Sequence, residues 1–249
     1  MHSRTYAALL VTLLAFGYAV SAQDLMPTGS AESRTVRIKS GAWQLVGDLV
    51  LPPQKGKVPA VLMLNKANGD RRAYEALAWA LAKRGIASLR IDLRAHGESD
   101  NLARFGPPFD EKMRALLVGS DEDVTAATAF LSRLPEIDAK RIGVVGASYS
   151  GEQMAIAGRK SSYAKAYVAL SPGSFSDESI AEIDRSGIPW FFIRSVDEIA
   201  LMKEVFDAVR KGSKNARTMR VPGKAHASDL LSEHQELNEM IAVWFESKL

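Results

Sequence analysis

Two kinds of hydrophobic pattern alternate along the chain. Continuous apolar runs occupy 58–64, 86–91, 141–145, 166–170 and 189–193. Runs of that kind predict strands buried on both faces of a sheet. Between them lie stretches with apolar residues three and four apart. Tyr74, Leu77, Ala78 and Leu81 mark a helix over 72–84 that Gly85 stops, and Val124, Ala127, Phe130 and Leu131 mark one over 121–134 that Pro135 stops. Helices are also predicted over 200–211 and 229–248, with a last short strand at 217–221 between them. Ahead of this alternation, 35–39 and 43–51 read as an antiparallel hairpin across Ser40-Gly41, ended by Pro52-Pro53. The pattern predicts an α/β fold: a mostly parallel sheet of about eight strands, helices on both faces and an antiparallel pair at one edge. No element is predicted for 92–119 or 171–188, and the second segment is too short for a large cap domain.

In such sheets the reactive groups gather at the carboxyl ends of the strands. The strand at 141–145 runs into Gly146-Ala147-Ser148-Tyr149-Ser150-Gly151 and then a helical stretch. This order of strand, sharp turn and helix holds a serine hydroxyl clear of the backbone, and crowding demands small residues two positions to either side. Gly146 and Ser150 meet that need, although glycine is more usual at the second site. A serine becomes a nucleophile only when a base takes its proton and an acid fixes the base's tautomer. The strand at 189–193 leads to Arg194-Ser195-Val196-Asp197-Glu198, and the last strand leads to Pro222-Gly223-Lys224-Ala225-His226. Serine, acid and histidine therefore follow three strand ends in that order. Either Asp197 or Glu198 can serve as the acid.

With these residues in view, the chain from about 33 to 249 resembles the α/β-hydrolases, and within them the small esterase and dienelactone-hydrolase-like branch. The resemblance rests on Gly146–Gly151, on Ile91-Asp92-Leu93-Arg94-Ala95-His96-Gly97-Glu98-Ser99, on Ser195–Glu198 and on Ala225-His226. It implies Ser148 as nucleophile, His226 as base and Asp197, in preference to Glu198, as acid. It also implies an oxyanion hole built from the backbone N–H of Tyr149 and a second N–H from Asn65–Gly69, expected at Ala67 with Lys66 as the alternative. Related chains often carry His-Gly where Asn65-Lys66 stands, so the shape of that loop departs from the pattern. The implied reaction is cleavage of a carboxylic ester or related acyl bond through an acyl-enzyme, with no cofactor. A peptidase of the same fold and a non-catalytic binding module are the competing expectations.

Composition narrows the setting. The chain has 249 residues and is 47% hydrophobic, enough for one large domain with a full core. It has no cysteine, which excludes disulfide staples and thiolate chemistry. Residues 1–22 read as an export signal: Arg4, an apolar run over 6–17 and Val20-Ser21-Ala22 as a small-residue cleavage site. The apolar run falls short of the roughly 20 residues of a membrane span. A periplasmic or secreted protein is expected, with a flexible leader over 23–32. Removing the signal takes one basic residue from 32, against 29 acidic ones, and that balance implies no nucleic-acid partner. The expected partner is a small ester or acyl substrate.

Lys66, Arg71, Arg72 and Arg94 fall at the catalytic edge, as a cationic rim or as ion-paired surface. Lys66, Phe105 and Phe109 are candidate substrate contacts, the two aromatics on a segment at 101–118 that either lines an acyl pocket or packs on the sheet edge. His96 is read as a brace for its loop, and His234 as a surface or packing residue within the last helix.

Overall fold

A computed structural model describes residues 30–249; the predicted signal, and the leader as far as residue 29, lie outside the described residues. Eight strands form one sheet: β1 (Glu32–Ser40), β2 (Trp43–Leu51), β3 (Val58–Leu64), β4 (Ala87–Ile91), β5 (Ile137–Ala147), β6 (Ala166–Leu170), β7 (Trp190–Ser195) and β8 (Ala216–Val221). Their order is β1-β2-β4-β3-β5-β6-β7-β8. β2 is antiparallel to both β1 and β4, and every pairing from β4 through β8 is parallel. The expected mixed sheet with an antiparallel edge is therefore observed, and β1 starts at Glu32, inside the predicted leader.

The helices are α1 (Glu75–Lys83), α2 (Glu111–Val118), α3 (Asp121–Arg133), α4 (Ser150–Ser161), α5 (Asp177–Ser186), α6 (Ala200–Gly212), α7 (Leu230–Glu233) and α8 (Glu236–Glu246). β3 shows why its sequence is unbroken in its apolarity. Ala60, Leu62 and Leu64 enter the core shared with α3 to α6, while Val61 and Met63 enter the core shared with α1, α7 and α8. Each such Leu contributes about 1.5–3 kcal/mol by leaving water, on either face.

The structure departs from the periodicity in three places. α2 forms inside the segment read as irregular, because the Asp110 side chain accepts from Met113 N–H and caps its first turn. α5 forms in 171–188 with Ser176 capping it in the same way, and Ile183 is its one fully buried apolar anchor. The single helix expected over 229–248 is split at His234, which ends α7 and whose Nε2 lies 2.9 Å from the Pro222 carbonyl. Among the described residues no helix is long and apolar enough to cross a membrane.

Candidate active site

β5 is central in the sheet, with β3 on one side and β6 on the other. At its end Ser148 sits at φ 55°, in the left-handed region that costs a non-glycine residue about 1–2 kcal/mol. The surroundings hold it there. Ser148 N–H donates to Leu170 O at 2.9 Å, and its carbonyl accepts from Gly151 N–H at 3.1 Å and Gly173 N–H at 3.3 Å. Gly146 is obligatory, since a Cβ there would lie 2.8 Å from Met154 Sδ and 2.9 Å from Ser150 O. Ser150, where glycine is more usual, adds a brace: its Oγ accepts from Ala147 N–H at 2.7 Å and lies 3.2 Å from Leu64 O at the end of β3. Ser148 Oγ makes no hydrogen bond among the described residues.

His226 follows β8. Its Nδ1 is hydrogen-bonded to Glu198 Oε1, not to Asp197. The contact thus falls on Glu198, the alternative acid, and the expected Asp197 does not meet the histidine. A turn at Val196-Asp197 ends β7, with Asp197 N–H donating to Gly223 O at 3.0 Å and its side chain exposed. The turn sends Glu198 back inward, where it is 4% exposed. Its second oxygen, Oε2, accepts from Ser171 Oγ at 2.8 Å. Ser171, directly after β6, sits at φ 43° and is fully buried. Ser195 Oγ, also buried, donates to Ala225 O at 2.7 Å and ties β7 to the segment bearing His226. Sequence reading missed Ser171 altogether, and no local motif marks it. If Glu198 is the acid, Ser171→Gly, which suits the left-handed backbone and removes the hydroxyl together with its Cβ, should cut kcat about 10- to 100-fold with KM unchanged, the scale of one hydrogen bond to a charged group. A kcat equal to wild type would show that Glu198 is held without it.

The loop after β3 keeps its shape through Asn65, which is fully buried. Its amide nitrogen donates to Lys66 O at 2.9 Å and Gly69 O at 3.3 Å, and its carbonyl accepts from Leu93 N–H at 2.8 Å. The backbone N–H groups of Lys66, Ala67 and Tyr149 engage no protein acceptor among the described residues. Those are the donors an oxyanion hole requires.

The four cations expected at the catalytic edge, Lys66, Arg71, Arg72 and Arg94, are all engaged. Lys66 Nζ pairs with Asp229 Oδ2, three residues past His226. Arg71 contacts Asp48 at 2.9 Å, Asp92 at 2.5 Å and Glu98 at 2.7 Å. Arg72 pairs with Asp70, and Arg94 with Asp123 and Glu122. All four are ion-paired, and Arg71 and Arg94 are buried with their partners Asp92 and Asp123 rather than lying on the surface. His96 is buried and braces its loop: its Nδ1 lies 2.9 Å from Arg94 O, and its ring stacks on Phe105 at 4.8 Å and on Tyr149 at 5.9 Å. Burial pushes its pKa down, so the ring stays neutral. Phe105 is thereby a buried residue, while Phe109 meets it edge-on at 5.7 Å and remains exposed. Phe105, His96 and Arg72 help line a cleft of about 370 Å³ beside the site, which neither Ser148 nor His226 borders.

Comparisons with known proteins bear on the family and the fold. The family model of the X-Pro dipeptidyl-peptidase (S15 family) matches residues 41–248. An uncharacterised protein of Pseudomonas aeruginosa is 32% identical over 105 residues, covering 41% of this chain and 26% of that protein. An uncharacterised protein of Mycobacterium tuberculosis is 29% identical over 179 residues, covering 72% of this chain and 56% of that one. The chain thus spans about a quarter and just over half of these relatives' lengths. Among solved structures, dienelactone hydrolase from Anabaena variabilis superposes with a TM-score of 0.68 at 21% identity, covering 89% of this chain and all of that one. Est1E from Butyrivibrio proteoclasticus gives 0.65 at 18% identity, covering 86% and 99%. The fold is therefore that of the α/β-hydrolases, and the chain belongs to the X-Pro dipeptidyl-peptidase (S15) family, a hydrolase family built on that fold.

Proposed function

We propose that this chain is a serine hydrolase that cleaves carboxylic esters or related acyl bonds through an acyl-enzyme. The observation that carries the reading is the contact of His226 Nδ1 with the buried Glu198, on the same sheet edge as a serine held in a left-handed turn. That contact leaves Nε2 as the basic nitrogen. Ser148 Oγ attacks the acyl carbon as His226 Nε2 takes its proton. The oxyanion develops against the N–H of Tyr149 and of Ala67 or Lys66. His226 returns the proton to the leaving oxygen, Glu198 stabilising the imidazolium meanwhile, and water then releases the acyl group by the same steps. No cofactor enters this scheme. The paired cations at the rim suit an uncharged ester. The signal-like residues 1–22 support action in the periplasm or outside the cell.

A second reading, a serine peptidase, is favoured by the description of the matched family. The test is labelling with a fluorophosphonate, located by mass spectrometry, followed by rates on nitrophenyl acetate and on Gly-Pro-nitroanilide. Labelling confined to Ser148 with ester turnover far above anilide turnover is expected. Anilide turnover dominating would favour the peptidase, and absence of labelling would leave a non-catalytic module.

A further inference from the structure

Gly173 is a glycine that its backbone does not demand. It is not among the residues at positive φ, and it lies buried between β6 and α5. What is special is its surroundings. A Cβ placed on Gly173 would stand 3.3 Å from Ser148 Oγ, 3.0 Å from Met202 Cε and 3.4 Å from Met202 Sδ. The hydroxyl and the thioether thus converge on one point above the Gly173 backbone, and that backbone is pinned there by its N–H to Ser148 O. Met202 is 6% exposed, on the first turn of α6. Ile199, the residue at the N-cap of α6, is 63% exposed, and its carbonyl accepts from Met202 N–H at 3.2 Å.

We propose that Gly173 and Met202 set acyl specificity, leaving a narrow apolar slot that takes a straight-chain aliphatic acyl group. This rests on the assignment of Ser148 as nucleophile. Once Oγ bonds the acyl carbon, the substituent on that carbon crosses the face of Gly173 and is covered by Met202. A methyl at position 173 occupies the same place. Met202 suits the far wall because an unbranched thioether side chain shifts readily around chains of different length. A branched α-carbon is excluded by the same closeness.

The experiment measures kcat/KM of the full chain for nitrophenyl acetate, butyrate, hexanoate and pivalate. Wild type should favour butyrate and hexanoate over acetate and reject pivalate. Gly173→Ala should lower the hexanoate-to-acetate ratio at least 10-fold, within the range for one methylene of misfit in a pocket. Met202→Ala, which removes atoms and so remains informative if Gly173→Ala folds poorly, should raise the relative rate on pivalate. Val243→Ser, on the exposed face of α8, should leave every ratio as in wild type. Ratios unchanged in both Gly173→Ala and Met202→Ala, with ester turnover intact, overturn the slot while sparing the serine assignment. A wild type that neither labels with a fluorophosphonate nor turns over any ester overturns both.

Discussion

Glu198→Gln is expected to lower kcat/KM by about 10³- to 10⁴-fold, the scale at which a histidine loses its catalytic tautomer when an amide replaces the acid. The two oxygens of Glu198 are both engaged, one by His226 Nδ1 and the other by Ser171 Oγ. An amide keeps the size of the side chain. Facing Nδ1 with its NH₂, it favours the imidazole that carries its proton on Nε2, the wrong nitrogen for accepting from Ser148. Asp197→Asn, one residue away on an exposed turn, should stay within about twofold of wild type, as surface changes do. Steady-state kinetics on one short nitrophenyl ester checks both. If Asp197→Asn is the damaging change and Glu198→Gln is not, the acid has been placed wrongly.

Ser148→Ala is expected to remove on the order of 10⁶-fold in kcat, leaving only what binding and oxyanion donors contribute. It should abolish fluorophosphonate labelling and leave the unfolding midpoint close to wild type, since alanine inherits the same φ of 55°. Ser148→Gly should be equally inactive but more stable than Ser148→Ala, by about 1 kcal/mol, because glycine adopts that backbone without a Cβ clash; its greater unfolded-state freedom offsets part of the relief. Urea unfolding of the two variants measures the difference. Equal stability would mean that the turn stores no such strain, and residual turnover in Ser148→Ala near the wild-type rate would remove Ser148 from the mechanism.

The sheet was legible because burial on both faces leaves an uninterrupted apolar signature. β3 feeds two cores with alternate residues, and nothing polar can be tolerated along it. Helices α1, α3 and α6 were legible for the complementary reason, one wet face each. α2 and α5 were not, because they rest on single caps at Asp110 and Ser176 and on one buried apolar residue each, Leu117 and Ile183, rather than on a long apolar stripe. The joint at His234 depends on Pro222, twelve positions away, which no local window contains.

Within the candidate site, the sequence by itself determined the turn at Ser148 and the arrival of His226 at the same sheet edge, because each rests on local chemistry: small residues in a crowded elbow, and a strand end. It narrowed the acid to two neighbours, and the choice between them passed to the tertiary structure. A two-residue turn after β7 leaves Asp197 outward and turns Glu198 inward, where Ser171 and His226 meet its two oxygens. Asn65 illustrates the same division. As a sequence it was a departure from the usual loop. In the fold its amide links that loop to Leu93 across the sheet edge, and the N–H groups of Lys66 and Ala67 meet no protein acceptor among the described residues. Ser148 is the residue whose neighbours are least legible in the sequence. Gly173 and Met202 reach it from separate elements, at distances that only packing sets.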